Sequence, residues 1–202
     1  MPITARILAF AAAAVTAACS SSTTGTGSTH PTNTMPRSPH TTANAEAMIG
    51  SDCGMLPKSG TGSMHAMAMQ PLSAAAASNP LLTGYAAATK HAGLVHSLDA
   101  RRGITVFAPQ TMAFTHIPAA EMGMLHHAGE LAKIIKYTVV GHTVTPADIA
   151  HGMSLTTLEG SPVTTSKMGT VDEIGKATVT CGPIHTENAT IYITNKLLTP
   201  PH

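Results

Sequence analysis

Methionine and histidine side chains cluster in one short stretch of this sequence. The chain has 12 residues of each type, and residues 64–69 read MHAMAM. Thioether and imidazole groups are ligands for soft Cu(I), and a flexible segment can wrap such an ion without a preformed cage. Met64, His65, Met67 and Met69 therefore form a candidate copper site. In the alternative, the three methionines pack on the edge of a domain as adaptable hydrophobes.

The first nineteen residues have the pattern of an export signal. Arg6 supplies a positive charge, and residues 7–15 (ILAFAAAAV) supply a short apolar stretch that is too short to span a bilayer. The small residues directly before Cys19 resemble the site at which bacterial lipoproteins are cleaved and acylated. We therefore expect residues 1–18 to be a lipoprotein signal peptide and Cys19 to carry palmitate as a membrane anchor. The alternative is plain secretion, in which an ordinary signal peptidase removes the leader and Cys19 lies in or near the discarded piece.

Cys53 and Cys181 remain as a pair once Cys19 is acylated. An oxidising extracytoplasmic compartment allows them to form a disulfide bond. Such a bond would tie the start of the folded region to a late strand. The alternative is two free, buried thiols.

The N-terminal third of the chain is poor in residues that can build a core. In residues 20–42, 13 of 23 residues are Ser or Thr, and three are proline. Such a composition buries too little apolar surface to fold. We therefore expect residues 19–67 to be a disordered stalk rich in Ser, Thr, Pro and Gly, and residues 68–202 to be the folded domain.

The charge balance and the motifs exclude several functions. Only 10% of the residues are charged, and 11 Lys and Arg face 10 Asp and Glu, so no basic surface for nucleic acid is expected. The chain contains no nucleophile elbow, phosphate-binding loop, dinucleotide fingerprint or zinc-protease motif. We expect neither catalysis nor a cofactor.

Hydrophobic spacing predicts helices first and strands later. The predicted helices cover residues 72–78, 81–90, 118–126 and 130–136, and Thr145 to Asp148 has the pattern of a capped helix start. The runs rich in β-branched residues that predict strands are 104–108, 154–158, 163–166, 177–181 and 190–194. Helices followed by an antiparallel run of strands predict an α+β fold.

Two segments resemble the signatures of fasciclin domains. Residues 104–114 (ITVFAPQTMAF) are similar to T-V-F-A-P-T-N-x-A-F, and residues 188–201 (NATIYITNKLLTPP) are similar to N-A/G-x-I-H/Y-x-I-D-x-V-L-x-P-P. Residues 135–140 (IKYTVV) are similar to L-x-Y-H-V-V, with Thr138 at the position of the histidine. The resemblance covers about residues 68–201. It implies helices packed on a wedge of β-strands.

The resemblance implies mainly structural roles for the residues of these signatures. They are Phe107, Pro109, Phe114, Tyr137, Asn188 and Tyr192. Phe107 and Phe114 are expected to be core anchors, and Pro109 to end a strand. Asn188 is expected in a turn between strands. Tyr137 is either buried with its hydroxyl bonded or a contact residue, and Thr138 lies either in the core or on an exposed rim.

The resemblance also implies a function. Fasciclin domains are adhesion or matrix-interaction modules with no general catalytic activity. The acylation pattern, the stalk and the two later cysteines resemble mycobacterial surface lipoproteins with a single fasciclin domain. We expect a non-catalytic surface antigen, lipid-anchored on the extracytoplasmic face of the cell membrane or secreted. Its domain would mediate adhesion to an extracellular protein, glycan or lipid.

Overall fold

A computed structural model describes residues 47–116, 123 and 127–201, all within one compact unit. The predicted signal peptide, Cys19 and the Ser/Thr-rich residues 20–42 lie outside the described residues. So does most of the helix predicted over residues 118–126.

In the part of the chain that the structure describes, six short α-helices accompany the sheet. They are α1 (Met64–Ala68), α2 (Leu72–Ser78), α3 (Thr83–His91), α4 (Val95–Asp99), α5 (Ala128–Tyr137) and α6 (Pro146–Ala150), accompanied by the 3-10 helices Asp52–Met55 and Thr111–His116. Helix α5 buries Leu131, Ile134 and Ile135 on one face, as their spacing predicts. Helix α6 begins with a capping box in which Thr145 and Asp148 bond each other's backbone N–H groups.

Among residues 47–116, 123 and 127–201, seven strands form one sheet in the order β2-β1-β7-β6-β5-β4-β3. They are β1 (Ile104–Pro109), β2 (Val139–Val140), β3 (Ser154–Thr156), β4 (Pro162–Met168), β5 (Val171–Ile174), β6 (Ala177–His185) and β7 (Ala189–Thr194). The late strands β3 to β7 pair antiparallel, as expected. Strand β1 instead pairs parallel with β7, so the first and last strand-forming signatures lie side by side.

Strands β1 and β7 are buried along their whole length. Val106 and Ile191 face a core shared with the helices, whereas Phe107 and Tyr192 face a second core on the other side of the sheet. Phe107 pairs with Tyr192 in register, and their ring centroids are 5.8 Å apart. Burial on both faces explains why large apolar residues occupy consecutive positions in these strands rather than alternating with exposed polar ones.

The side chain of Asn188 joins three separate parts of the chain. Its Oδ1 accepts a hydrogen bond from the Leu72 N–H (2.8 Å), and its Nδ2 donates to the carbonyls of Leu98 (3.0 Å) and Arg101 (2.9 Å). Asn188 lies between β6 and β7, as expected, but its side chain is only 5% exposed. It therefore fixes the start of α2 and the end of α4 against the start of β7.

Residues 49–67, which composition assigned to the stalk, belong to the folded part of the chain. Ile49 and Gly182 exchange two backbone hydrogen bonds (2.6 and 3.0 Å), and a disulfide joins Cys53 to Cys181. Leu56 and Met67 are buried. The segment has few large aliphatic residues, but backbone pairing and a covalent bond hold it against β6. The stalk expected over residues 19–67 therefore overlaps the fold.

Thr138 lies in the core rather than on a rim. Its side chain is fully buried, and its Oγ1 donates a hydrogen bond to the Ile135 carbonyl (2.8 Å) at the end of α5. The hydroxyl of Tyr85 lies 3.4 Å from Thr138 Oγ1. Because the Thr138 hydroxyl already donates to Ile135, the Tyr85 hydroxyl is the donor in this contact, and burial raises the pKa of Tyr85 to about 12.

Replacement of Asn188 tests its role as the link between helices and sheet. Asn188→Ala leaves the buried Leu72 N–H without its acceptor and removes one hydrogen bond from each of the Leu98 and Arg101 carbonyls, so it should lower the free energy of unfolding by about 2–3 kcal/mol in urea titrations. Asn195→Ala is the matched control, because Asn195 Oδ1 accepts one bond, from Thr178 N–H. Equal costs for the two variants would show that Asn188 is no more than an ordinary turn residue.

Two substitutions at Thr138 test its placement. Thr138→His should lower the melting temperature by several degrees, because an imidazole overpacks a fully buried site. Thr138→Val keeps the shape and should cost about 1–2 kcal/mol, since the Tyr85 hydroxyl loses its acceptor. Adding Tyr85→Phe should then be nearly neutral. A Thr138→His variant as stable as the parent in thermal melts would contradict this placement.

Candidate functional site

An open cleft of about 970 Å³ lies beside the ends of several strands. Its walls come from the 3-10 helix Thr111–His116, the turn between β5 and β6, and residues 195–201 after β7. Sites for small molecules are concave and usually measure about 300–1,000 Å³. The cleft therefore has the size of a ligand site.

The floor of the cleft is apolar and belongs to the core. Ala113 and Tyr137 are each 7% exposed, and Leu198 is 3% exposed. The Tyr137 hydroxyl donates to the Pro162 carbonyl at 3.3 Å, and burial together with the negative charge of Glu159 raises the pKa of this phenol. Tyr137 is thus a core residue with a bonded hydroxyl whose ring also lines the cleft.

The rim of the cleft carries positive charge. Lys176 and Lys196 line it and are exposed, as are His116 and Met112. No Asp or Glu lies among the described residues of the lining, and neither lysine takes part in an ion pair within the described part of the chain. Positive charge at the mouth of an apolar cleft favours an anionic ligand.

The second signature builds and fixes one wall of the cleft. Asn195 donates its backbone N–H to the Thr178 carbonyl (3.0 Å), and its side chain accepts from the Thr178 N–H (2.9 Å). The Thr194 hydroxyl donates to the Lys196 carbonyl (3.0 Å). These bonds hold the segment after β7 against β6, so the wall is set before any ligand arrives.

Sequence reasoning missed the cleft, because its residues come from four separate segments of the chain. Lys176 and Lys196 are twenty positions apart in sequence. Both line the same cleft because β6, which follows Lys176, pairs with β7, which precedes Lys196. The TPP sequence that closes the second signature was the available signal, since two prolines cannot extend the sheet.

The other signature residues do not line the cleft but pack in or against the core next to it. Phe107 and Tyr192 are fully buried, and Pro109 is the last residue of β1. Phe114, expected in the core, is only partly buried and packs over Gly84 of α3. A Cβ at Gly84 would lie 2.9 Å from the Phe114 ring, so only glycine admits this contact. Phe114 thereby fixes the 3-10 helix that forms one wall of the cleft.

The candidate copper ligands are divided between the core and the surface. Met67 is fully buried, and its sulfur lies 3.3 Å from Asn79 Nδ2. Met64, His65 and Met69 are exposed. Because the segment folds as helix α1, it does not offer the flexible wrap that the sequence suggested, and Met67 packs as a core residue. Among residues 47–116, 123 and 127–201, no three His, Cys, Asp or Glu come together in a way that could hold a metal ion.

No helix in the described part of the chain has both the length and the apolar character needed to cross a bilayer.

Comparison with known proteins places these features in a family. The sequence profile of the Fasciclin domain matches residues 80–200. The cell surface glycolipoprotein MPB83 of Mycobacterium bovis is 34% identical over 216 residues, covering 99% of this chain and 96% of that protein. The immunogenic protein MPT70 of Mycobacterium tuberculosis is 33% identical over 168 residues, covering 79% of this chain and 86% of that protein.

The fold also matches a solved structure. A pair of FAS1 domains from the insect cell adhesion molecule Fasciclin I aligns with a TM-score of 0.55 at 14% identity. The match covers 67% of this chain and 52% of that chain, so the chain spans about half of the insect domain pair. With a matching profile over residues 80–200, relatives more than 30% identical and its two signature strands paired side by side, the chain belongs to the fasciclin family.

Proposed function

We propose that this protein is a lipid-anchored cell-surface protein whose fasciclin domain binds an extracellular partner without chemistry. The observation that carries the proposal is the similarity to a cell surface glycolipoprotein over 99% of the chain. That alignment extends beyond the domain to the apolar leader, Cys19 and the Ser/Thr-rich residues 20–42. A surface protein needs these segments, whereas an isolated binding domain does not.

Cys19 is the proposed point of attachment. One acyl chain contributes about 0.8 kcal/mol per buried CH₂ and anchors only marginally, so stable attachment needs several chains on one cysteine. The composition of residues 20–42 suits a spacer between this lipid and the domain. Such a spacer would let the domain reach a partner away from the membrane.

The disulfide stands where the spacer enters the domain. Cys53 and Cys181 are 128 positions apart in sequence, yet their Cα atoms are 4.9 Å apart. Closing so long a loop can stabilise the fold by up to about 5 kcal/mol in the loop-entropy account. Because Cys181 lies in β6 beside β7, a pull on the proposed anchor would act directly on the centre of the sheet.

The cleft supports binding rather than catalysis. Its polar rim consists of exposed lysines and an exposed histidine, and its floor is apolar with a phenol whose hydroxyl is already bonded. This arrangement supplies affinity and orientation but no activated nucleophile. Binding is therefore the function that the described residues support best.

Substitution of Cys19 tests the anchor. Cys19→Ala removes the acylated thiol, so the protein should move from the membrane fraction into the soluble envelope or the medium, as seen by immunoblotting after detergent partitioning. Protease treatment of intact cells should release the domain of the parent protein. A Cys19→Ala variant that still partitions into detergent like the parent would rule out lipidation there.

The second test concerns the remaining cysteines. Mass spectrometry of the unreduced protein should show Cys53 and Cys181 in one linked pair of peptides. Reduction should lower the melting temperature but leave the fold intact, because residues other than the two cysteines make up most of both cores. The control is Cys53→Ser, which should melt like the reduced parent and still partition with the membrane. Free thiols at both positions under non-reducing alkylation would contradict the bond in the mature protein.

A further inference from the structure

The shape and charge of the cleft indicate the chemical class of its ligand, which the proposed adhesion function leaves open. Its floor offers buried apolar side chains, and its rim offers two lysines without ion-pair partners in the described part of the chain. We propose that the cleft binds a single-chain anionic amphiphile, a long-chain fatty acid. Its hydrocarbon chain would lie on the floor, and its carboxylate would lie at Lys176 and Lys196. This inference rests on the proposed binding function and names the class of partner.

The apolar part of the ligand follows from the floor and from Met112. Ala113, Tyr137 and Leu198 present a concave apolar surface at the base of the cleft. Met112 stands beside it with 61% of its surface exposed. Methionine is flexible and adapts to irregular apolar partners. A hydrocarbon chain in the cleft would remove Met112 from water and would contact the floor, whose side chains are already largely buried.

The anionic part follows from the rim. Lys176 comes from the turn between β5 and β6, and Lys196 follows β7, so two separate elements each bring one cation to the same cleft. Their long stems let the ammonium groups reach a carboxylate in several positions. No Asp or Glu among the described lining residues competes for them. An uncharged or cationic ligand would gain nothing from this arrangement.

A polypeptide strand is a poorer occupant of the same cleft. Strand addition requires free backbone donors along the wall. Here Pro200 and Pro201 have no N–H, and the N–H groups of Gln110 and Asn195 already bond the carbonyls of Thr194 and Thr178. The wall therefore offers few main-chain bonds to a peptide, while its side chains suit a hydrocarbon.

A flat bilayer surface is also a poorer occupant. Ala113 and Leu198 are buried at the base of a concave site, where only a single extended chain can reach them. Two exposed lysines would add little to binding at a charged membrane, which usually requires a larger basic cluster. The proposal therefore commits to the free fatty acid.

Calorimetric titration with sodium oleate tests the proposal. The full chain carrying Cys19→Ala is used, so that its own lipid is absent, and oleate is kept below the concentration at which it forms micelles. We expect saturable binding of one oleate per chain. Oleyl alcohol, which has the same chain without the charge, should bind about tenfold more weakly.

Lysine variants separate the cleft from general surface charge. Lys176→Gln/Lys196→Gln should weaken oleate binding about tenfold and abolish the preference over oleyl alcohol. The matched control is Lys58→Gln/Lys90→Gln, which removes two exposed lysines outside the cleft and should bind like the parent. Met112→Ser, at an exposed position, should weaken both ligands. Thermal melts of each variant report whether the fold is kept.

Three results would overturn the proposal. They are the absence of saturable oleate binding, equal binding by the two lysine double variants, and capture by phosphatidylglycerol vesicles without binding of free oleate. None of these results affects the membrane partitioning of the parent and the Cys19→Ala variant. If oleate does not bind but the Cys19→Ala variant leaves the membrane fraction as expected, the proposed surface function is retained and only the proposed ligand class is wrong.

Discussion

The parallel pairing of β1 with β7 is the constraint on which the rest of the structure depends. These strands are separated by 80 positions of sequence, yet they pair over six residues from Ile104 with Ala189 to Pro109 with Thr194. Both are buried on both faces, so each must have a core above it and a core below it. The helices supply one core, and the strands β3 to β6 with α6 enclose the other. Asn188 secures one end of the pair, where its side chain satisfies backbone groups of α2 and of the segment after α4. Since buried polar groups without partners are costly, these hydrogen bonds stabilise the observed arrangement at this end of the pair.

The other end of the same pair creates the cleft. At Pro109 the chain leaves the sheet, and the 3-10 helix Thr111–His116 is held back by Phe114 against Gly84. At Thr194 the partner strand ends, and the following residues are fixed by Asn195 on Thr178. The segments that follow β1 and β7 therefore diverge at the edge of the core, and the apolar floor of the cleft lies between them. The buried strands β1 and β7 thus end beside an open cleft. Lys176 and Lys196, which follow β5 and β7, give this cleft its positive charge.

The N-terminal segment shows how a chain with little hydrophobic material can still belong to a domain. Residues 49–56 contribute few large side chains, and the bonds between Ile49 and Gly182 and between Cys53 and Cys181 hold them in place. Gly50 has a positive φ, and a side chain there would collide with the backbone at Thr180. A backbone approach this close requires glycine. The inclusion of residues 49–56 in the domain is therefore set by specific pairing rather than by hydrophobic content.

The sequence alone determined the elements whose signals are local. The β-branched run at residues 104–108, the spacing of Leu131, Ile134 and Ile135, and the capping pair Thr145 and Asp148 each depend on neighbours within a few positions, and each forms the predicted element. The two signatures identified the family, because their residues are constrained by the same central pair of strands. Tertiary structure alone decided the rest. Met67 has the type and spacing of a copper ligand, but helix α1 places it in the core. The sequence allows Thr138 to be buried or exposed, and its contact with Tyr85 shows that it is buried. Asn188 has the pattern of a turn residue, but its side chain also bonds α2 and α4. Lys176 and Lys196 are unremarkable in sequence and share a cleft only because β6 and β7 pair. In each case the role of the residue depends on burial and on partners from distant segments, which a local pattern does not contain.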